Sequence, residues 1–141
     1  HIDGYIGEVA TTLVVGATAE APTTGRAADA MAAAYHASEL ATRLFAKGNK
    51  TYDVTDGIQN IAEAFDCKPI EGMQSHQLER NNVAGAKMVI LNPNDQQRKE
   101  TKSAVFEANE VYCVDILVST GNGKAKIGSS KCNVYRRTEK T

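Results

Sequence analysis

The chain has 141 residues, a formal net charge of −1 and 42% hydrophobic residues. That length suits one compact domain, and the apolar fraction is enough for a core. No apolar run approaches the ~20 residues that span a bilayer, and no signal-peptide core is present, so no membrane partner is expected. The three cysteines (Cys67, Cys113, Cys132) are odd in number, far apart and form no Cys-x-x-Cys unit. Structural zinc and a disulfide framework therefore lack support, and reduced thiols in an intracellular compartment are expected. The chain opens with His1 and its first residues already read as strand, which suggests a piece of a longer protein.

Residues 1–15 read as a hairpin. Asp3-Gly4 is a two-residue turn signal, because both residues suit the positive φ of a type I′ turn. The following arm, 8–15, carries Val9, Thr11, Leu13, Val14 and Val15 and is expected to be a strand. Residues 16–25 form a loop. Residues 26–47 are rich in alanine, the best helix former. There, Ala30, Ala33, Ala37, Leu40 and Leu44 recur at helical spacing. Thr24 is the expected cap and Gly48 the expected left-handed residue after the last turn. His36 lies inside this helix and is assigned a surface or packing role.

A second helix is expected over 54–65, with Ile58, Ile61, Ala62 and Phe65 on one face and Asp53 as its cap. Pro69 ends it, because proline disfavours helix at the residue before it. Residues 86–91 read as a short strand and 92–102 as a mobile polar loop. Residues 104–120 are the strongest strand region, with Val111 and Cys113 on one face, Tyr112 and Val114 on the other, and burial expected on both sides. Cys113 is expected in the core and not as a nucleophile, since no basic neighbour in sequence favours a thiolate. Residues 124–127 and 133–137 read as outer strands.

Charge is uneven along the chain. Residues 121–141 hold Lys124, Lys126, Lys131, Arg136, Arg137 and Lys140 against Glu139 alone, a local +5, while residues 1–30 carry a local −3. The basic end could be a solvated face or could meet phosphates. No aromatic-interleaved motif or glycine-rich phosphate loop accompanies it, so any nucleic-acid contact would be to the backbone and weaken with salt.

The stretch Pro69-Ile70-Glu71-Gly72-Met73-Gln74-Ser75-His76-Gln77-Leu78 joins the helical front half to the β-rich back half. Together with His1-Ile2-Asp3-Gly4-Tyr5-Ile6, Glu8-Val9-Ala10, Asn92-Pro93 and Glu110-Val111-Tyr112-Cys113-Val114-Asp115-Ile116-Leu117-Val118-Ser119-Thr120-Gly121, it resembles the proliferation-associated protein family. Members of that family are also described as receptor-binding and curved-DNA-binding proteins, and they are relatives of type-two methionine aminopeptidases. The resemblance runs nearly the whole chain, with its motifs in the right order. It implies an α+β pita-bread fold with a curved antiparallel sheet. Residues 1–141 would form the central portion of a methionine-aminopeptidase-like domain, incomplete at both ends.

The active aminopeptidases hold two metal ions through two aspartates, a histidine and two glutamates, with the ions ~3.5–4 Å apart. By resemblance, Glu8 stands at the second aspartate, His76 at the histidine and Asp115 at the first glutamate. The first aspartate would fall before His1 and the last glutamate beyond Thr141. Ala84 stands where the active enzymes carry a second, substrate-facing histidine. Glu8 is one methylene longer than aspartate and Asp115 one shorter than glutamate, each a change of ~1.5 Å. Metal sites tolerate ~0.2 Å in ligand distance.

The resemblance therefore implies a pseudoenzyme with vestigial site positions Glu8, His76 and Asp115, no metal and no cofactor. It would bind structured RNA, the ribosome or regulatory proteins in cytoplasm and nucleus, including the nucleolus, in growth regulation. Lys124, Lys126, Lys131, Arg136 and Arg137 are the nucleic-acid-binding candidates. The competing expectation is a metal-dependent aminopeptidase with an altered ligand set. Asp115, in an apolar strand, is expected to be buried and to need a partner, with His76 or a basic side chain in that role. Exposed sheet edges would invite self-association.

Overall fold

Small side chains decide how the first two helices meet. In a computed structural model, which describes residues 1–135, helix α1 (Gly25–Leu44) buries Ala33, Ala37 and Ala41 completely. This stripe lets helix α2 (Thr51–Ala64) approach closely. Gly57 completes the contact from the other side. A Cβ there would stand 2.9 Å from Leu44 Cδ1. Thr24 is the residue preceding α1, but its side chain makes no capping bond. Gly48 is left-handed at φ 96°, but the helix ends earlier than expected, at Leu44 with Phe45 as its cap, so Gly48 lies beyond the capping position.

Helix α2 starts three residues earlier than its apolar pattern suggests. Asp53 is not its cap but a first-turn residue whose carboxylate accepts from the Lys50 amide at 2.7 Å, satisfying an amide the helix start leaves free. The other end closes at Asp66, in the left-handed region at φ 52°. Arg26 reaches across from the start of α1 and donates to the carbonyls of Phe65 and Asp66. His36 is exposed, with its ring stacked on Phe65 at 5.7 Å between centroids.

Strand β1 (Lys68–Pro69) pairs antiparallel with β5 (Val118–Ser119). A three-stranded antiparallel sheet has β2 (Gln74–Leu78) in the centre, between β3 (Met88–Ile90) and β4 (Val111–Cys113). Its register sets His76 opposite Met88 on one side and opposite Cys113 on the other. Helix α2 packs on β3 and β1, and α1 on β5. The core between them joins Ala37, Ala41, Val54, Ile58, Val89, Leu91 and Phe106. Phe45, Phe106 and Tyr112 close one end, with ring centroids 4.8 to 5.2 Å apart. Thr55 is buried at the seam, where its hydroxyl donates to the Ile90 carbonyl at 2.8 Å.

Several expected elements take another form. The Asp3-Gly4 turn exists, with positive φ at both residues and a bridge between Ile2 and Tyr5. Residues 8–15 form no strand, because no described segment lies beside them to complete a ladder. Residues 92–102 are not a mobile loop. They contain helix α3 (Asp95–Glu100). Asn94 and Gln97 cap it reciprocally, each side-chain oxygen accepting from the other's amide at 2.9 Å. Arg98 lies over the Tyr52 ring at 4.6 Å and bonds Asp56.

The long region 104–120 contributes only β4 and β5, and its two-sided burial fails. Val111 is exposed on the face of β4 turned away from the core, and Val114 is exposed just past the end of the strand. Residues 124–127 and 133–135 form no strand, and 136–137 lie outside the described residues.

Candidate functional site

Alternation along β2 builds the site. Ser75 turns into the interior and is buried, while Gln74, His76 and Leu78 face the other way. That outer face floors a groove of about 520 Å³. Ile6, Met73, Leu78 and Val83 supply apolar wall, and Glu8, His76, Cys113 and Asp115 supply the chemistry. The three positions singled out in the sequence thus share one groove, although they come from three segments far apart in the chain.

Glu8 is exposed on the segment following the Asp3-Gly4 turn. That turn is fixed at the far end of β2, where the Asn81 amide donates to the Gly4 carbonyl at 2.8 Å and Arg80 Nε to the Asp3 carbonyl at 3.0 Å. Cys113 donates its thiol proton to Glu8 Oε2 at 3.8 Å. Burial raises the Cys113 thiol above its ordinary value, and the negative charges of Glu8 and Asp115 push in the same direction. The sulfur is therefore a protonated, half-buried lining group, placed in the groove wall where a core position was expected.

Asp115 departs from expectation more. It is exposed, because β4 ends at Cys113 and leaves it beyond the ladder. Its backbone is what is held. The Asp115 amide donates to Ser75 Oγ at 2.9 Å, and that hydroxyl lies 3.3 Å from the Asp115 carbonyl, to which it donates. Neither His76 nor a basic side chain forms a hydrogen bond or ion pair with the Asp115 carboxylate among the described residues. Ser75 was not singled out in the sequence. The available signal was a small polar residue at the interior-facing position of a strand, which must find a partner.

Val83, not Ala84, lines the groove; Ala84 is exposed. Among the described residues, no three His, Cys, Asp or Glu side chains converge at spacing that holds a metal ion. The donor set as arranged does not fit a metal pair. Lys124, Lys126 and Lys131 are exposed, and Arg136 and Arg137 lie outside the described residues.

Behind β4 a second polar cluster braces the sheet. Lys87 Nζ bonds the Glu110 carboxylate and the Val105 carbonyl, and Glu107 lies at 3.4 Å. Tyr112 donates to Glu110 at 3.0 Å. Burial alone would raise the Glu110 carboxyl, but the Glu107 amide, Lys87 and Tyr112 outweigh it and hold the group below its ordinary value. Burial, and then Glu110, push the Tyr112 phenol well above its ordinary value.

No family model matches the chain. Individual proteins do. The chain is 49% identical to the curved DNA-binding protein of Schizosaccharomyces pombe over 142 residues, covering 100% of this chain and 36% of that protein. It is 46% identical to ERBB-3 binding protein 1 of Solanum tuberosum, over 97% of this chain and 34% of that protein. It is 38% identical to proliferation-associated protein A of Dictyostelium discoideum, over 97% of this chain and 35% of that protein. The chain belongs to the proliferation-associated protein family.

It spans about a third of the length of the curated family members it matches. The solved structure of a thermophilic Arx1 superposes with a TM-score of 0.63 at 25% identity, covering 82% of this chain and 37% of that one. The helices and antiparallel sheets described above are thus part of a pita-bread fold, the α+β architecture that the family resemblance implied. In this stretch of the proliferation-associated fold, the groove over β2 is where Glu8, His76 and Asp115 meet. No described helix is long and apolar enough to cross a membrane.

Proposed function

We propose that this chain is the central portion of a non-catalytic, aminopeptidase-like protein that binds structured RNA, ribosomal or protein partners in growth regulation, in the cytoplasm and nucleus. The observation that carries the reading is the groove itself. It retains Glu8, His76 and Asp115, but Glu8 is engaged by the Cys113 thiol and Asp115 is exposed past the end of its strand. A carboxylate that is a methylene too long or too short, on a backbone held elsewhere, does not gather two cations within the ~0.2 Å that coordination demands. The names of the relatives, which speak of binding, agree with this. Vestigial positions Glu8, His76 and Asp115 would then shape a pocket and perform no chemistry.

Binding to phosphates would fall to Lys124, Lys126 and Lys131, which stand exposed with no acidic residue between 121 and 135, and to Arg136 and Arg137. Such contact is electrostatic and weakens steeply with salt. An electrophoretic assay with structured RNA at several salt concentrations tests this. Retardation at low salt that fades as salt rises supports it; free RNA at the lowest salt removes nucleic acid from the proposal.

The second reading is a metal-dependent aminopeptidase with an altered ligand set, favoured by one imidazole and two carboxylates lining one groove. Metal analysis with hydrolysis of a Met-Ala-Ser peptide separates the two. Bound metal with turnover establishes the second reading and ends the first.

A further inference from the structure

One dipeptide of the chain carries a reaction of its own. Of nine asparagines, Asn122 alone is followed by glycine. In such a pair the glycine nitrogen can attack the asparagine side-chain carbonyl carbon and close a five-membered imide. Glycine favours the attack because no side chain screens its nitrogen and its backbone turns freely. The reacting groups all lie in residues 122–123, and the only co-reactant is water.

The fold prepares this pair and leaves it unguarded. The Lys124 amide donates to Asn122 Oδ1 at 3.0 Å. That Asx-turn folds the side chain back over the Gly123 peptide, and the donor draws electron density from Cγ, the atom attacked. The Gly123 amide, the nucleophile, donates to no described group. The two Asp-Gly pairs, Asp3-Gly4 and Asp56-Gly57, differ. Their carboxylates are ionised at neutral pH and resist attack, and the Gly57 amide is occupied by the hydrogen bonding of helix α2.

We propose that Asn122 is a site of spontaneous deamidation and isoaspartate formation, and that the isoaspartyl product breaks the contact of the 121–124 turn with residues 69–71. Gly123 N bonds to Asn122 Cγ, the Cγ–Nδ2 bond breaks, and ammonia leaves with the Gly123 amide proton. Water then opens the imide. Opening at Cγ yields aspartate. Opening at the main-chain carbonyl yields isoaspartate, in which the backbone runs through the former side chain and gains one methylene.

The structure has no slack for that methylene. The Gly123 carbonyl accepts from the Glu71 amide at 2.7 Å. A Cβ on Gly123 would stand 2.6 Å from the Pro69 carbonyl oxygen. An added carbon–carbon bond moves the chain entering Gly123 by ~1.5 Å, more than a hydrogen bond tolerates. Pro69 pairs with Val118 across β1 and β5, so the displacement reaches the small sheet. This goes beyond the binding role above and does not depend on it.

Ageing the 141-residue chain at mildly alkaline pH, native and unfolded in urea, tests it. Peptide mapping by mass spectrometry locates the amide-to-acid change, and enzymatic methylation tells isoaspartate from aspartate. Asn122 should convert before the other asparagines, faster as pH rises, and at a native rate within about 10-fold of the unfolded one. Asn122→Gln should abolish the conversion at this position. The isoaspartyl form, separated from the parent, should unfold at lower urea and lose the slow exchange of the Glu71 amide. Freshly prepared Asn122→Asp, which adds the charge without the methylene, should unfold with the parent. Conversion of Asn122 in urea but not in the native chain overturns the proposal, as does conversion that favours other asparagines. An isoaspartyl form with the parent's midpoint and Glu71 exchange overturns it too.

Discussion

Replacing Ser75 with alanine removes one hydroxyl and tests how the groove is held together. Ser75 Oγ is the acceptor for the Asp115 amide at 2.9 Å and donates to the Asp115 carbonyl at 3.3 Å. Its residue is 1% exposed, so water does not readily take its place. Removing both partners of a hydrogen bond can be nearly neutral, whereas leaving a buried donor without an acceptor costs about 1–3 kcal/mol. Alanine removes only one partner, so the latter cost applies.

With a urea m-value of about 2 kcal/mol/M, the unfolding midpoint should fall by about 0.5–1.5 M. A control at Ser130, which is exposed, should leave it in place. The amide resonance of Asp115 should move in a nitrogen–proton correlation spectrum, and those of α1 should not. A midpoint within about 0.2 M of the parent, with the Asp115 amide unshifted, would refute the claim that Ser75 fixes this edge of the groove.

Other tests concern charge, thiol reactivity and backbone. Glu110 is held below its ordinary carboxyl value of 4.5, so its contribution to stability is present above that value and is lost as pH falls through the lower folded one. Lys87 is raised above 10.5, chiefly by its hydrogen bond to Glu110. Its contribution is full below 10.5 and is lost as pH rises through the higher folded value. Thermal midpoints measured against pH should therefore show a plateau with loss on both sides, and Glu110→Gln should flatten the acid limb; an unchanged acid limb counts against the cluster.

Thiol labelling near neutral pH should reach exposed Cys132 before Cys113. Glu8→Gln should speed labelling of Cys113 by about 2- to 10-fold, because it removes a charge that disfavours the thiolate. An unaltered rate would sever the link between these two side chains. Gly123→Ala should destabilise by about 1–3 kcal/mol. Gly123 sits at φ 76°, and an added Cβ would stand 2.6 Å from the Pro69 carbonyl oxygen. Gly121→Ala, whose Cβ would meet nothing closer than 3.4 Å, should cost less by chemical denaturation.

Local signals in the sequence determined the two long helices, the tight turn at Asp3-Gly4 and the break at Pro69, because helical spacing, glycine and proline act over a few residues. The order of motifs likewise pointed to the family and the pita-bread fold that the comparisons then gave. Helix α3 was hidden in a polar run, since a six-residue helix has too few positions to show a period and its capping pair, Asn94 with Gln97, reads in sequence as ordinary loop chemistry.

Tertiary structure alone decided the groove. Residues 8–15 and 104–120 carry strand-favouring side chains, yet a strand forms only where a neighbour offers amides and carbonyls, and that partner is set by packing far along the chain. The same cause placed Asp115 past the end of β4, exposed and tethered through Ser75, and brought Cys113 against Glu8. Which residues share a wall is settled by register and strand length, quantities that no local pattern contains.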